Sequence, residues 1–477
     1  MNRILKKELI RIVRVFSVLS ISSICCSMQL AANTQKKDST LVLSLDDAVR
    51  VALSENPKIK VADLEIVKKN YDHKKTWSKF LPQIDWNTNY SYTIKKQKMY
   101  FDGMPGMPTK GEPVAFEVGQ THNIQTGVQA GIPIIAPQLW STLAVTEKDI
   151  ELSKEKSRGS KIDLVAEVKK AYYSILLAKD SYEVFKRSHD NATLNYNQIK
   201  EKFDRGLVAE FDLLRSDVQR RNIEPNMVQA EQSVDLAKAR LKVLLDLDQN
   251  YNIIIKDSLT HYKDDLISKS LAPVDTILTN NSALRQLSIQ QGQLKDNLKI
   301  SKLAYLPTLS LGFLYNYNYM SNKFNLDDSK RWTPYSMLNL TLKIPLFSGG
   351  DRYYSVKANK ISLQQMEMSR HDAEQQTRLG ILNGRTQLKN AVQRYIAAEQ
   401  AVRMAKKGYQ IAQVRYKTGE STLVELNDAD LALLQAELNY NQAIYDFMVA
   451  RAEMDKLSGV EPIYTYKNNS QINNSLR

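Results

Sequence analysis

The sequence predicts an α+β membrane protein, built mostly of long α-helical coiled-coil hairpins with two transmembrane β-hairpins per chain. Three observations carry this. First, small and apolar residues fall on Leu426, Ala429, Leu433, Ala436, Tyr440, Ala443, Phe447, Ala450, Met454 and Leu457, at steps of three and four. That is the heptad seam of a paired helix. Second, a less apolar seam stands 213 residues earlier, on Leu213, Ser216, Arg220, Ile223, Met227, Ala230, Val234, Ala237, Leu241 and Leu244. Each seam follows a glycine turn, Phe203-Asp204-Arg205-Gly206 and Tyr416-Lys417-Thr418-Gly419, so the chain reads as a tandem duplication. Third, four stretches of strand length alternate apolar with polar residues, the pattern of tilted strands between lipid and a wet lumen.

The 477 residues divide accordingly. Residues 1–32 are an export signal, 43–247 the first repeat, 248–273 a connecting segment, 274–459 the second repeat and 460–477 a polar tail. In the signal, Arg3, Lys6, Lys7, Arg11 and Arg14 precede an apolar run over Val15–Ile21, and cleavage is expected after Ala32. Acylation of Cys25 or Cys26 is the alternative, as in a lipoprotein. These are the two cysteines of the chain, so the mature remainder after Ala32 forms no disulfide and no thiolate metal site. The formal charge of +14 includes a net +4 from the signal, leaving about +10. The surplus reads as spread along helices beside many carboxylates, as solvated faces, and no nucleic-acid partner is expected.

Along the chain, a short helix starts near Leu45, and Asn56-Pro57 opens a longer one with proline at its permitted first position. Strands are expected at about 83–94 and 122–132, joined by a Gly- and Pro-rich loop from about Lys95 to Gly119. The first puts Ile84, Trp86, Thr88 and Tyr90 on one face, and the second Ile124, Thr126, Val128 and Ala130. Strands at about 308–319 and 335–344 repeat the pattern with Leu309, Leu311, Phe313 and Tyr315, then Leu338, Leu340 and Leu342. Tyrosine and tryptophan on these faces suit an interfacial girdle. Pro82, Pro133, Pro307 and Pro345 mark the four boundaries between strand and helix and read as barrel–tunnel hinges. Proline-free segments after Pro137 and after Gly350 predict helices of roughly 100 Å, with a kink at Pro225 in the first return helix. Four strands close no barrel and open edges are forbidden in lipid, so closure must come from copies of the chain; two or three would serve.

The export signal, the duplication, the hairpins and the turns Phe-Asp-Arg-Gly-Leu-Val-Ala (203–209) and Tyr-Lys-Thr-Gly-Glu-Ser-Thr (416–422) together resemble the TolC-type outer-membrane efflux proteins. The Ile344-Pro345-Leu346-Phe347-Ser348-Gly349-Gly350 exit from the last strand is similar to that family too. The resemblance implies a homotrimer with a 12-stranded barrel in the outer membrane and a 12-helix periplasmic tunnel. It implies a passive exit duct of a tripartite efflux or type I secretion system, whose partners are a periplasmic adaptor protein, an inner-membrane pump and outer-membrane lipid. By the same resemblance Arg205, Gly206, Leu207, Thr418, Gly419 and Glu420 form the adaptor-docking tip, where Glu420 departs from the usual apolar residue. Asp212, Glu425 and Asp428 take the places of a carboxylate gate, which would favour cations. Arg215 stands at a further acidic position, where a local ion pair is expected. For Glu425 a capping box with Thr422 is an equal alternative.

No catalytic constellation is present in the sequence. His73, His122, His189, His261 and His371 lack metal-ligand spacing, and no hydrolase elbow, zinc-protease motif or phosphate loop occurs. No enzyme activity, metal or cofactor is expected. The competing reading is a periplasmic or surface coiled-coil scaffold or adhesin without a channel.

Overall fold

The computed structural model describes residues 40–101, 114–262 and 273–460. The expected export signal and nearly all of the polar tail lie outside them, as do residues 263–272 of the connecting segment. Two compact units are present. The described residues of the smaller are 40–41 and 250–254, and β1 (Thr40–Leu43) and β6 (Asn252–Ile255) form a two-stranded sheet. The larger holds the remaining described residues.

Helix α1 (Leu45–Glu55) leads into α2 (Pro57–Ser78), and the first hairpin follows the strands as α3 (Pro137–Asp204) and α4 (Glu210–Leu244). The second half has α5 (Val274–Asn280), α6 (Ser282–Leu303), α7 (Asp351–Lys417) and α8 (Leu423–Leu457). At 68 and 67 residues, α3 and α7 each outrun a 35-residue return helix. The rest of their length is matched by the 22-residue α2 and α6. One side-chain device joins the pieces in both halves. The buried Asn56 accepts from the Lys58 N–H (2.9 Å) while its amide donates to the Leu244 carbonyl (2.9 Å). Asn281 accepts from the Leu284 N–H (3.2 Å) and donates to the Leu457 carbonyl (3.1 Å). Each asparagine caps one helix and meets an orphan carbonyl of the other.

Every residue of both heptad seams is buried or half-buried. α3 packs on α2 and α4 at one side and on α6 and α8 at the other, and α7 packs on α6 and α8. α4 is continuous through Pro225, the place of the expected kink, and Pro225 is exposed there. The connecting segment is less irregular than expected. Tyr172 and Tyr262 donate hydroxyls to Asp257 (2.6 and 3.0 Å), and the Leu259 N–H donates to Asp180 (3.1 Å), fixing a 3-10 turn at Leu259–Tyr262 against α3.

The sheet is antiparallel, in the order β2 (Gln83–Tyr92), β5 (His122–Ile135), β7 (Thr308–Ser321), β8 (Trp332–Lys343). Its register aligns the four apolar faces: Trp86 pairs with Val128, Val128 with Tyr315, Phe313 with Leu338 and Leu309 with Leu342. The opposite face carries Asn87, Asn89, Gln125, Asn316, Asn318 and Asn339. Gly127 is needed there, because a Cβ would lie 2.2 Å from both the Asn316 Oδ1 and the Tyr315 carbonyl.

Two expectations are corrected. Pro133 is not a boundary: it lies inside β5, and the helix begins at Pro137. It stands where β2 pairing has already ended at Gly131 and where the register to β7 shifts between Pro133 and Ile135, the irregular edge at which a strand tolerates proline. The Lys95–Gly119 stretch is not all loop either. β3 (Gln97–Phe101) and β4 (Val114–Val118) pair there, because Met99 and Phe116 continue the alternation that the intervening Gly- and Pro-rich residues obscure.

Candidate functional site

The two glycine turns fold alike. Gly206 has φ of 72° and Gly419 has φ of 82°, left-handed values that glycine adopts without the clash of a Cβ. Around the first, the Leu207 N–H donates to the Lys202 carbonyl and the Gly206 N–H to Phe203, both at 2.8 Å. Around the second, the Glu420 N–H donates to Arg415 (2.8 Å) and the Gly419 N–H to Tyr416 (3.3 Å). Both are Schellman closures, which satisfy the last carbonyls of a helix and release the chain sideways. Arg205, Gly206, Leu207, Thr418, Gly419 and Glu420 are all exposed on them.

The return helices start differently. Ala209 caps α4 without a side-chain bond, leaving Glu210 and Asp212 to oppose the helix dipole. Thr422 caps α8, its hydroxyl accepting from the Glu425 N–H (3.3 Å). The Glu425 carboxylate turns toward Arg415 Nη1 at 3.9 Å, an exposed pair of small energetic weight. Asp428 is exposed. Arg215 forms no ion pair with Asp212 among the described residues, contrary to expectation; the first salt bridges of α4 lie further in, at Asp217 with Arg220 and Arg221.

Tyr416 links the two turns. Its ring lies 5.2 Å from the Lys202 ammonium. Its hydroxyl pKa is raised, chiefly by burial and further by the charge of Asp212. Tyr416 stands in the turn motif, but nothing local gives it a role, because its partners are more than 200 residues away. A second unforeseen group lies two residues beyond Asp428. Asp430 is buried between α8 and α3, where the Ser188 hydroxyl donates to it (3.0 Å). Burial raises its pKa, and it helps push the buried Tyr409 hydroxyl to about 12. Among the described residues no group of three or more His, Cys, Asp or Glu is placed to hold a metal ion. None of their helices is long and apolar enough to cross a membrane.

Comparison with known proteins follows the same halves. The family model described as "Outer membrane efflux protein" matches residues 48–246 and 274–460. The chain is 22% identical over 337 residues to the outer membrane protein TolC of Vibrio cholerae, spanning 70% of this chain and 76% of that protein. It is 23% identical over 318 residues to the alkaline protease secretion protein AprF of Pseudomonas aeruginosa, spanning 65% and 64%. Among solved structures, the CmeC outer membrane channel of Campylobacter jejuni superposes with a TM-score of 0.69 at 19% identity, over 87% of this chain and 85% of that one.

Proposed function

The chain belongs to the outer membrane efflux protein family, outer-membrane exit ducts of efflux and secretion systems, and we propose that three copies of it close one barrel and one tunnel. The observation that carries this is the sheet register. It gathers four apolar faces on one side and the amide-rich faces on the other, while among the described residues β2 and β8 each have one strand neighbour and a free edge. An outer-membrane sheet with free edges requires partners, and β8 of one copy meeting β2 of the next supplies them. Three copies give a 12-stranded barrel.

The helices repeat the logic. On α7 a second stripe, Tyr354, Ile361, Met368, Leu382 and Ile396, stands exposed at heptad multiples. α2 and α4 expose Val61, Leu64, Phe211, Leu214 and Val218 at their own unpartnered side. Joined head to tail, these stripes form a third kind of seam and a 12-helix tunnel. Pro82, Pro307 and Pro345 stand at three of the strand–helix passages as hinges between the two periodicities. The scaffold alternative is set aside with the family assignment.

At the turns, Asp212, Glu425 and Asp428 from three chains converge as a carboxylate gate, held closed through Tyr416. The exposed residues Arg205 to Leu207 and Thr418 to Glu420 dock a periplasmic adaptor, which couples the duct to an inner-membrane pump. Single-channel recording tests the gate. Glu425→Gln with Asp428→Asn is expected to lower cation over anion permeability several-fold. Unchanged selectivity with a lower melting temperature would overturn the gate and leave only helix capping.

A further inference from the structure

The positive charge is not spread evenly along the helices. Over the ten helical residues nearest the strands, α2 carries Lys69, Lys74 and Lys75 against Asp72, and α6 carries Lys295, Lys299 and Lys302 against Asp296. α7 carries Arg352, Lys357 and Lys360 against Asp351, and α3 no charge at all. The four helix ends at the glycine turns reverse the balance, with Lys200, Lys202, Arg215, Arg415 and Lys417 against eight carboxylates. Two of the carboxylates near the strands are neutralised, Asp296 by Lys148 (2.6 Å) and Asp72 by Lys69 (3.9 Å).

On α6 the lysines occupy one side. Lys295, Lys299, Lys302 and then Leu306 follow at steps of four, three and four, and all are exposed. This side is turned from both neighbours: the Gly292 carbonyl and Asp296 meet Lys148 of α3, and Ser301 meets Asn359 of α7. The cavity behind the polar sheet face is lined on the helix side by Lys79 and Leu139 and by none of these lysines. Lys295, Lys299 and Lys302 form no ion pair among the described residues, and Lys357 and Lys74 lie over the rings of Tyr353 and Tyr71 (both 5.5 Å).

Between this basic band and the apolar sheet face is a belt of large exposed side chains. The stripe Leu338, Leu340, Leu342, Ile344 continues past Pro345 into Leu346 and Phe347, exposed by 89% and 88%. Trp77 and Leu81, Ile134 and Trp140, and Tyr305 and Leu306 occupy the other three connections, each side chain between 46% and 63% exposed. At 1.5 Å per residue, Lys302 stands about 6 Å and Lys295 about 16 Å below Leu306. Apolar face, aromatic belt and basic band thus follow one another as acyl chain, interface and phosphate do across a leaflet.

We propose that the foot of the sheet is a collar for anionic phospholipid of the periplasmic leaflet. Lys295, Lys299 and Lys302 contact phosphate, and Trp77, Trp140, Tyr305 and Phe347 the boundary with the acyl chains. Their long stems let the lower lysines reach back toward the headgroups. The occupant follows from continuity with the lipid-facing sheet and from charge complementarity. This rests on the barrel reading above.

The test is native mass spectrometry of the detergent-extracted protein titrated with phosphatidylglycerol or phosphatidylethanolamine. The expected result is a trimer retaining the anionic lipid preferentially. Lys295→Gln with Lys299→Gln and Lys302→Gln should reduce that preference roughly tenfold, after screening by salt. Replacing the exposed Lys200, Lys406 and Lys407 near the turns by Gln should leave it unchanged. A trimer with no lipid preference, or with equal loss in both triple variants, overturns the collar and leaves the barrel standing. A species that is not a trimer overturns both.

Discussion

The two halves close their turns and splice their helices with the same devices, yet they fill the space between those devices differently. Phe203–Leu207 and Tyr416–Glu420 share one Schellman closure, and Asn56 and Asn281 one bifunctional cap. The seam of the second hairpin buries Phe447 where the first has the half-buried Val234. Arg394 and Asp446 bridge the α7–α8 groove at 3.3 Å, whereas the matching positions between α3 and α4 are Ser181 and Ser233, and the groove there stays open. Backbone geometry is therefore repeated where the chain must turn or splice. Packing is free to diverge elsewhere, and the first hairpin is the looser.

The largest expected effect comes from that packing. Phe447→Ala should destabilise by about 3–5 kcal/mol, because it empties a closed seam. Val234→Ala, at the equivalent place, should cost only about 1 kcal/mol. Chemical unfolding of the two variants compares them directly, and equal losses would remove the distinction between the hairpins. Next are the splices. Asn56→Ala and Asn281→Ala should each cost about 2–3 kcal/mol, through a lost cap and an unmet carbonyl. A marked difference would show that only one half depends on its staple.

Smaller effects belong to the starts of the return helices. Thr422→Ala should cost about 1 kcal/mol, and Ala209→Ser should gain up to about that much by giving α4 the cap that α8 has. Hydrogen exchange in the first turns of α4 and α8 reads both. The smallest is electrostatic. Burial raises the Asp430 pKa, so its contribution to the α3–α8 contact is present in acid and lost as pH rises through the folded value. Asp430→Asn should therefore melt above the wild type at pH 8, with the gap narrowing toward pH 4.

The helices and strands were legible in the sequence because their periods are local, three-and-four for the seams and two for the sheet. Proline-free runs set the lengths of α3 and α7. What was not legible depends on pairing over distance. The Asn56 and Asn281 amides find carbonyls 188 and 176 residues away. Nothing local marks Asp430, two turns into α8, as buried until Ser188 is brought against it. Pro133 reads as a strand end, since nothing local shows that β2 stops two residues earlier. Of the proposed gate, the turns and their carboxylates stand in the sequence, and the contact of Tyr416 with Lys202 across the halves does not.

The account stands on closure by three copies. The most direct test is the mass of the protein extracted in detergent from the outer-membrane fraction, with bound detergent subtracted. Three chain masses, resistant to mild SDS, are predicted. A monomer released without detergent would contradict the barrel, the tunnel and the gate together.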